Sequence, residues 1–294
     1  MKIFFSRNNS YKPTIFLSKY IDRFYTFEKS SSEYFELPSI LPGTGLELVF
    51  YLDKPLSVNK KMLPKSHTVC PRNILDFDNE KNVSFLSVRL KSGAFRHFTS
   101  VPFSELNDNY FSVQNLWKAK GRNLMNKLEN ISEIQSKIEE IESFLINIFN
   151  EYHKVENDKW DLIMDELYYN FDSNTIEMLS QKSNLSLRQF ERGFKSQFGI
   201  TAKEFQKITR FQDVMKKILL NRKPDYLDII LDNGYFDQSH FINEFKSLTK
   251  KTPLEYFTKE NFDSHFYHKS LNKKPVASRV SKGNFTPNFS QNRT

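Results

Sequence analysis

The chain has 294 residues, enough for one large domain or two of ordinary size. Apolar residues make up 38% of it and charged residues 27%, so there is enough apolar material for a core and global disorder is excluded. The single cysteine, Cys70, excludes an internal disulfide. The net charge of +8 permits a nucleic-acid partner without requiring one.

The sequence contains no stretch that approaches the roughly 18 consecutive apolar residues of a membrane span. Its first residues, MKIFFSRNNSYKP, have only a very short apolar run and do not resemble a signal peptide. We therefore expect a soluble cytoplasmic protein without a membrane partner.

The first half of the chain mixes strand and helix signals. The apolar segment LELVFYL (46–52) follows a turn signal and predicts a strand. In VSFLSVRL (83–90) apolar and polar residues partly alternate, which predicts a second strand, and this one leads into a short helix. Apolar residues recur every three or four positions over 131–149, which predicts an amphipathic helix. We expect a small, barrel-like domain of strands and helices over residues 1–152, followed by a polar linker at 150–158.

The second half shows helix signals throughout, and the chain as a whole is predicted to be α+β. We expect an all-α domain over residues 156–258, built as two helix-turn-helix subdomains joined by one long helix. The predicted helices cover 160–170, 175–184, 186–199 and 202–221, then 226–233, a turn at Gly234, and a helix capped by Asp237.

The remaining residues, 259–294, have almost no apolar periodicity, and we expect a mostly disordered tail. Residues 261–294 carry six basic side chains and one acidic one. Two interpretations stay open for this tail: a dispensable solvated extension, or a segment that attracts phosphates without sequence preference.

The helical half contains an internal repeat. When Ser186 is aligned with Asp237, an offset of 51 positions, many of the residues that follow coincide. Upstream of the turn the offset is 50, because the turn of the second copy has one extra residue. The coinciding pairs are Phe190 and Phe241, Phe194 and Phe245, Lys195 and Lys246, Thr201 and Thr252, Glu204 and Glu255, and Asn184 and Gly234.

Each copy places phenylalanines on one side of a short helix and hydrogen-bonding side chains on the other. The polar set is Arg188, Arg192 and Lys195 in the first copy, and Ser239, His240, Asn243, Lys246 and Lys250 in the second. Arginine can bond guanine and asparagine can bond adenine, so a short helix after a tight turn with such a face is typical of a major-groove reader. The helix predicted at 202–221 would span roughly 30 Å, close to the spacing of successive grooves on one side of DNA.

Other chemistry is less well supported by the sequence. Asp237, Ser239 and His240 are too close along one helix to face each other as a catalytic triad, and Asp237 fits a helix cap better. His67, Cys70 and His97 match no standard metal spacing. Glu47 could be a ligand carboxylate or a structural group. We expect no catalytic residue, no metal and no cofactor.

The segment GYFDQSHFINEFKSLTKKTPLEYF (234–257) resembles the C-terminal signature of AraC/XylS-type transcription regulators, and LSLRQFERGFKSQFGIT (185–201) resembles the first recognition helix of that family. The resemblance implies a bacterial, non-enzymatic regulator that binds the double-stranded DNA of a promoter operator. By matched position it implies base contacts from Arg188, Glu191 and Arg192 and from Ser239, His240 and Asn243.

The N-terminal segments PGTGLELVF and FLSVRLKSGAFRHF resemble an uncharacterised domain found in some of these regulators. This implies a sensory or dimerising module. Three possible partners stay open: a second copy of the chain in a homodimer, RNA polymerase, and an unknown small-molecule effector. Lys250 and Asn243 depart from the usual glycine and arginine of the family. The alternative hypothesis is a small-molecule-binding or enzymatic N-terminal barrel whose helical half binds a protein partner.

Overall fold

The computed structural model describes residues 4–221 and 226–257. The predicted tail, 259–294, lies outside the described residues. Seven strands form in the N-terminal half: β1 (Phe4–Tyr11), β2 (Ile21–Phe35), β3 (Leu46–Tyr51), β4 (Ser57–Val58), β5 (Lys61–Met62), β6 (Ser66–Val69) and β7 (Glu80–Leu90). The strands predicted at 46–52 and 83–90 are therefore confirmed, and the short helix after the second is a 3-10 turn at Ala94–His97.

The helices of the N-terminal half are α1 (Phe103–Leu106), α2 (Val113–Asn130) and α3 (Ile134–Tyr152). Those of the C-terminal half are α4 (Glu156–Tyr169), α5 (Ile176–Lys182), α6 (Leu187–Phe198), α7 (Ala202–Asn221), α8 (Leu227–Asp232), α9 (Gln238–Thr249) and α10 (Pro253–Tyr256). The linker is shorter than the predicted 150–158, because α3 continues to Tyr152 and α4 begins at Glu156.

Five strands form one antiparallel sheet in the order β1-β2-β7-β3-β6. Both faces of its central strands are buried. Leu48 and Val88 point into one core, which α2 and α3 complete, whereas Val49 and Phe85 point into a second core closed by residues of the connecting loops. Burial on both faces explains why LELVFY has apolar residues on both of its sides, with Glu47 as its one charged residue, rather than alternating.

The helical half has one core of its own. It contains Leu179 from α5, Phe190 and Phe194 from α6, and Phe241 and Phe245 from α9. Helix α7 runs through it and contributes buried side chains along its length, among them Phe205, Ile208, Phe211, Val214, Met215 and Ile218. The expected architecture, a mixed strand and helix domain followed by an all-α domain in which a long helix joins two helix-turn-helix units, is confirmed.

Candidate nucleic-acid interface

Helix α6 is fixed at both ends by its own sequence. The Ser186 hydroxyl accepts the backbone N–H of Gln189, and the Gln189 side chain accepts the backbone N–H of Ser186, which forms a reciprocal capping box. At the other end Gly199 adopts a left-handed φ of 72°. The predicted cap and stop of this helix are therefore both confirmed.

One side of α6 is anchored in the core. Phe190, Phe194 and Phe198 are buried, and the Trp160 ring of α4 packs against all three. A Cβ atom at Gly193 would lie 2.5 Å from the same indole ring, so only glycine lets α4 approach this closely. A glycine in the middle of a predicted helix was the signal of this contact in the sequence.

The other side of α6 carries the predicted DNA-contacting residues, and all four of them are exposed: Arg188, Glu191, Arg192 and Lys195. No described residue forms a hydrogen bond or an ion pair with the side chains of Arg188, Arg192 or Lys195. By contrast, the buried Arg96 forms an ion pair with Asp161. The cations of α6 are therefore available to an anionic partner.

Helix α9 repeats this arrangement. The Asp237 carboxylate accepts the backbone N–H of His240 at 2.7 Å, which confirms the predicted cap. Phe241 and Phe245 are fully buried. The predicted contact residues on the outer side are all exposed: Ser239, His240, Asn243 and Lys246.

A buried ionic contact ties α9 to the long helix α7. An Arg210 nitrogen of α7 lies 2.6 Å from a Glu244 carboxylate oxygen of α9, and the Tyr235 hydroxyl donates to the other oxygen. The Arg210 guanidinium also lies over the Tyr235 ring, 4.4 Å from its centre. Burial, followed by the Glu244 charge, raises the pKa of Tyr235 well above its ordinary value, so the phenol stays protonated and donating.

The repeat extends to the backbone of the turns. Asn184 and Gly234, which coincide in the sequence alignment of the two copies, both have positive φ, 53° and 78°. Thr201 and Thr252 both accept a backbone N–H from the glutamate three residues later, at 3.1 and 3.2 Å. The helices α5–α6 and α8–α9 are thus two versions of one helix-turn-helix unit.

The N-terminal half contacts the end of α6. A Cβ atom at Gly199 would lie 2.5 Å from the backbone nitrogen of Ser104, and the Arg96 guanidinium lies 4.9 Å from the centre of the Phe198 ring. The buried His97 has its Nε2 atom 3.0 Å from a carboxylate oxygen of Asp161 on α4. These long-range contacts fix α6 and α4 against the sheet-containing half.

The groups that could suggest catalysis form hydrogen bonds within the fold. The Asp237 carboxylate binds a backbone N–H, whereas the His240 ring accepts the backbone N–H of Phe236 at Nδ1, so the two side chains do not form an acid–base pair. Glu47, for which two roles were open, accepts from the Tyr25 hydroxyl at 2.5 Å and from the Ser87 hydroxyl at 2.9 Å. Within residues 4–221 and 226–257, no group of three or more His, Cys, Asp or Glu side chains is arranged to hold a metal ion.

Two family models match the chain. Residues 179–259 match a helix-turn-helix domain, and residues 9–112 match a domain of unknown function, DUF6597. No curated protein matches. In the part of the chain that the structure describes, no helix has the length and apolar character needed to cross a membrane.

Solved structures of ToxT from Vibrio cholerae are similar at low identity. An apo form of a ToxT variant is 12% identical, with a TM-score of 0.41 over 86% of this chain and 96% of that one. ToxT with a bound unsaturated fatty acid is 13% identical, with a TM-score of 0.39 over 86% of this chain and 94% of that one. ToxT bound to (E)-4-(8-methylnaphthalen-1-yl)but-3-enoic acid is 13% identical, with a TM-score of 0.42 over 85% of this chain and 97% of that one.

The paired helical units and the matched segment define a DNA-binding protein of the helix-turn-helix class. More particularly, the helix-turn-helix domain at residues 179–259 is of the AraC type, and a DUF6597 domain at residues 9–112 lies ahead of it.

Proposed function

We propose that the chain binds a promoter operator in a sequence-specific manner, with α6 in one major groove and α9 in the next. The observation that carries this proposal is that both helices bury phenylalanines on one side and expose hydrogen-bonding side chains on the other, within one shared core. The 20-residue helix between the two units, α7, is roughly 30 Å long, close to the ~34 Å repeat of the major groove.

The first half-site would be read by charged groups. Arg188 and Arg192 are one helical turn apart on α6, and each can donate two hydrogen bonds to the O6 and N7 atoms of a guanine. Glu191 lies between them and can accept from the amino group of a cytosine. Lys195 lies further along the helix and would contact a phosphate of the DNA backbone.

The second half-site would be read by smaller and less basic groups. Asn243 can bond the N6 and N7 atoms of an adenine, and Ser239 and His240 can reach base edges nearer the start of α9. Lys246 coincides with Lys195 in the repeat and would contact a phosphate in the same way. With one cation among these four residues, α9 would contribute less than α6 to the salt dependence of binding.

We also propose that residues 1–152 act as a domain that controls DNA binding through a small molecule. A small cavity of about 20 Å³ lies against one face of the sheet and is lined by apolar groups such as Val49 and Phe85. A second cavity, of about 40 Å³, shares Glu47 with the first and is lined by Gln212 of α7. Both cavities are water-sized, so a small molecule would enter only if the lining side chains moved apart, and it would then contact the helix that joins the two DNA-binding units.

The DNA-binding proposal is tested by selecting bound sequences from random duplex DNA with the whole chain. One sequence with two half-sites should be enriched, and Arg192→Ala should weaken binding to it by about 1–3 kcal/mol. The matched control is Arg122→Ala, because Arg122 is an exposed arginine on α2. If Arg192→Ala leaves affinity unchanged, α6 does not bind as proposed. Turnover or ligand binding without duplex affinity would instead favour an enzymatic or small-molecule-binding N-terminal half.

A further inference from the structure

An apolar ring projects from the start of the second recognition helix. Phe236 is 87% exposed, although its neighbour Tyr235 is only 3% exposed. It immediately precedes Asp237, the residue that caps α9, and therefore stands at the end of the helix that would enter the groove. If an apolar surface of the partner covers this water-exposed ring in the complex, the burial stabilises the complex.

The backbone of Phe236 also fixes the protonation pattern of a predicted DNA-contacting residue. Its N–H donates to Nδ1 of His240, at 3.3 Å. Because Nδ1 then accepts a hydrogen bond, the neutral ring carries its proton on Nε2. His240 is exposed, so it offers a single N–H donor beside the ring of Phe236.

The support under His240 is rigid. Its ring packs against Tyr235, with the ring centres 5.2 Å apart. Tyr235 is held in turn by its hydrogen bond to Glu244 and by the Arg210 guanidinium above its ring. The His240 donor is thus held relative to both α9 and α7, and the backbone of Phe236 is tied to it by the hydrogen bond to Nδ1.

We propose that Phe236 and His240 together recognise one thymine in the second major groove, an assignment that rests on the proposed function. In the major groove, thymine presents an acceptor, O4, next to the apolar C5-methyl group, and no other base combines the two. The Phe236 ring would cover the methyl group, and Nε2–H of His240 would donate to O4. Guanine lacks the methyl group, and cytosine replaces the acceptor with an amino donor.

The test changes single functional groups of the DNA. In a selected duplex, each thymine of the second half-site is changed in turn to uracil, which removes only the methyl group. At one position the whole chain should bind about fourfold more weakly, the equivalent of losing one buried methyl group. Phe236→Ala should weaken binding to the original duplex by a similar or larger factor and abolish the difference between thymine and uracil.

A second change isolates the histidine. Replacing the same thymine–adenine pair with a pair of 5-methylcytosine and guanine keeps the methyl group but puts an amino donor in place of O4. Wild-type protein should discriminate about tenfold against it, and His240→Ala should lose most of that discrimination. Tyr34→Ala is the matched control, since Tyr34 is an exposed aromatic residue of the sheet, 67% exposed, and it should change neither comparison.

The outcomes separate the two proposals. If no sequence is enriched, the proposed function fails and the thymine assignment fails with it. If a two-part site is enriched but no thymine is sensitive to uracil, or if the sensitivity persists in Phe236→Ala, then the thymine assignment is overturned while the proposed function stands.

Discussion

Lys250 ends α9 with the same left-handed backbone that Gly199 provides at the end of α6, with φ of 59° against 72°. In both places the backbone N–H returns to the carbonyl oxygen four residues earlier, in Lys246 and Lys195, at 2.9 Å. Helices α6 and α9 therefore end in the same way. Only the second does so with a residue whose side chain disfavours that conformation.

This difference predicts a stabilising substitution. Lys250→Gly should raise the free energy of unfolding by about 1 kcal/mol, because glycine adopts positive φ without steric cost. The measurement is urea denaturation of the whole chain. Gly199→Ala is the control in the opposite direction, since its Cβ would lie 2.5 Å from the Ser104 nitrogen and should destabilise the fold. An unchanged or lower stability of Lys250→Gly would contradict the interpretation.

The buried contact between α7 and α9 predicts a large loss. Glu244→Ala should lower the free energy of unfolding by about 3 kcal/mol, because it leaves Arg210 without its carboxylate partner in a largely buried place. Glu244→Gln, which keeps an acceptor for Tyr235 but removes the charge, should cost less. Both are measured by urea denaturation.

An exposed ion pair on the same long helix serves as the comparison for Glu244. Asp213 lies 2.7 Å from Lys217, with both side chains over one third exposed. Asp213→Ala should cost no more than about 0.5 kcal/mol. Equal losses in Asp213→Ala and Glu244→Ala would show that burial does not decide the strength of the α7–α9 contact.

A buried histidine of the sheet predicts acid sensitivity. Burial lowers the pKa of His67 to about 4, while its ring contacts the Thr68 carbonyl oxygen at 3.0 Å and the Tyr51 hydroxyl at 3.3 Å. In the unfolded chain the His67 imidazole takes up a proton as the pH falls through about 6.5, whereas in the folded protein it does so only near pH 4. Stability should therefore be fully present above pH 6.5 and decline between the two values.

The size of this effect follows from the displaced pKa. About 2 kcal/mol of stability should be lost between pH 7 and pH 5 on account of His67. In His67→Gln the decline over this interval should be smaller by that amount, as measured by urea denaturation at both pH values. Other titrating groups cancel in the comparison, so an identical decline in the two proteins would exclude His67 as the cause.

The helical half was predictable in detail because its signals are local. Caps such as Ser186 and Asp237, the stop at Gly199 and the spacing of the phenylalanines each lie within a few residues of the element that they define. The bounds of the long helix, Ala202–Asn221, coincide with the predicted 202–221. The positions of the outer-face residues followed from the helical period alone.

The sheet was only partly predictable, because its signals depend on distant partners. The long strand β2 carries charged and serine residues in its exposed second half, and β6 has only four residues, so neither shows a clear period. Helix α2 contains non-helical backbone at Trp117 and Lys118, which breaks its apolar period. Contacts such as that of His97 with Asp161 join segments 64 residues apart and leave no local pattern.

The direct test of the two-groove account is the spacing of the half-sites. Five base pairs inserted between them rotate the second by about half a helical turn, out of reach of a chain whose recognition helices are joined by the continuous helix α7. We predict that the insertion weakens binding on the order of a hundredfold, to the level of a single half-site. Unchanged affinity for the lengthened site would contradict the account, because it would mean that α6 and α9 do not bind the two grooves together.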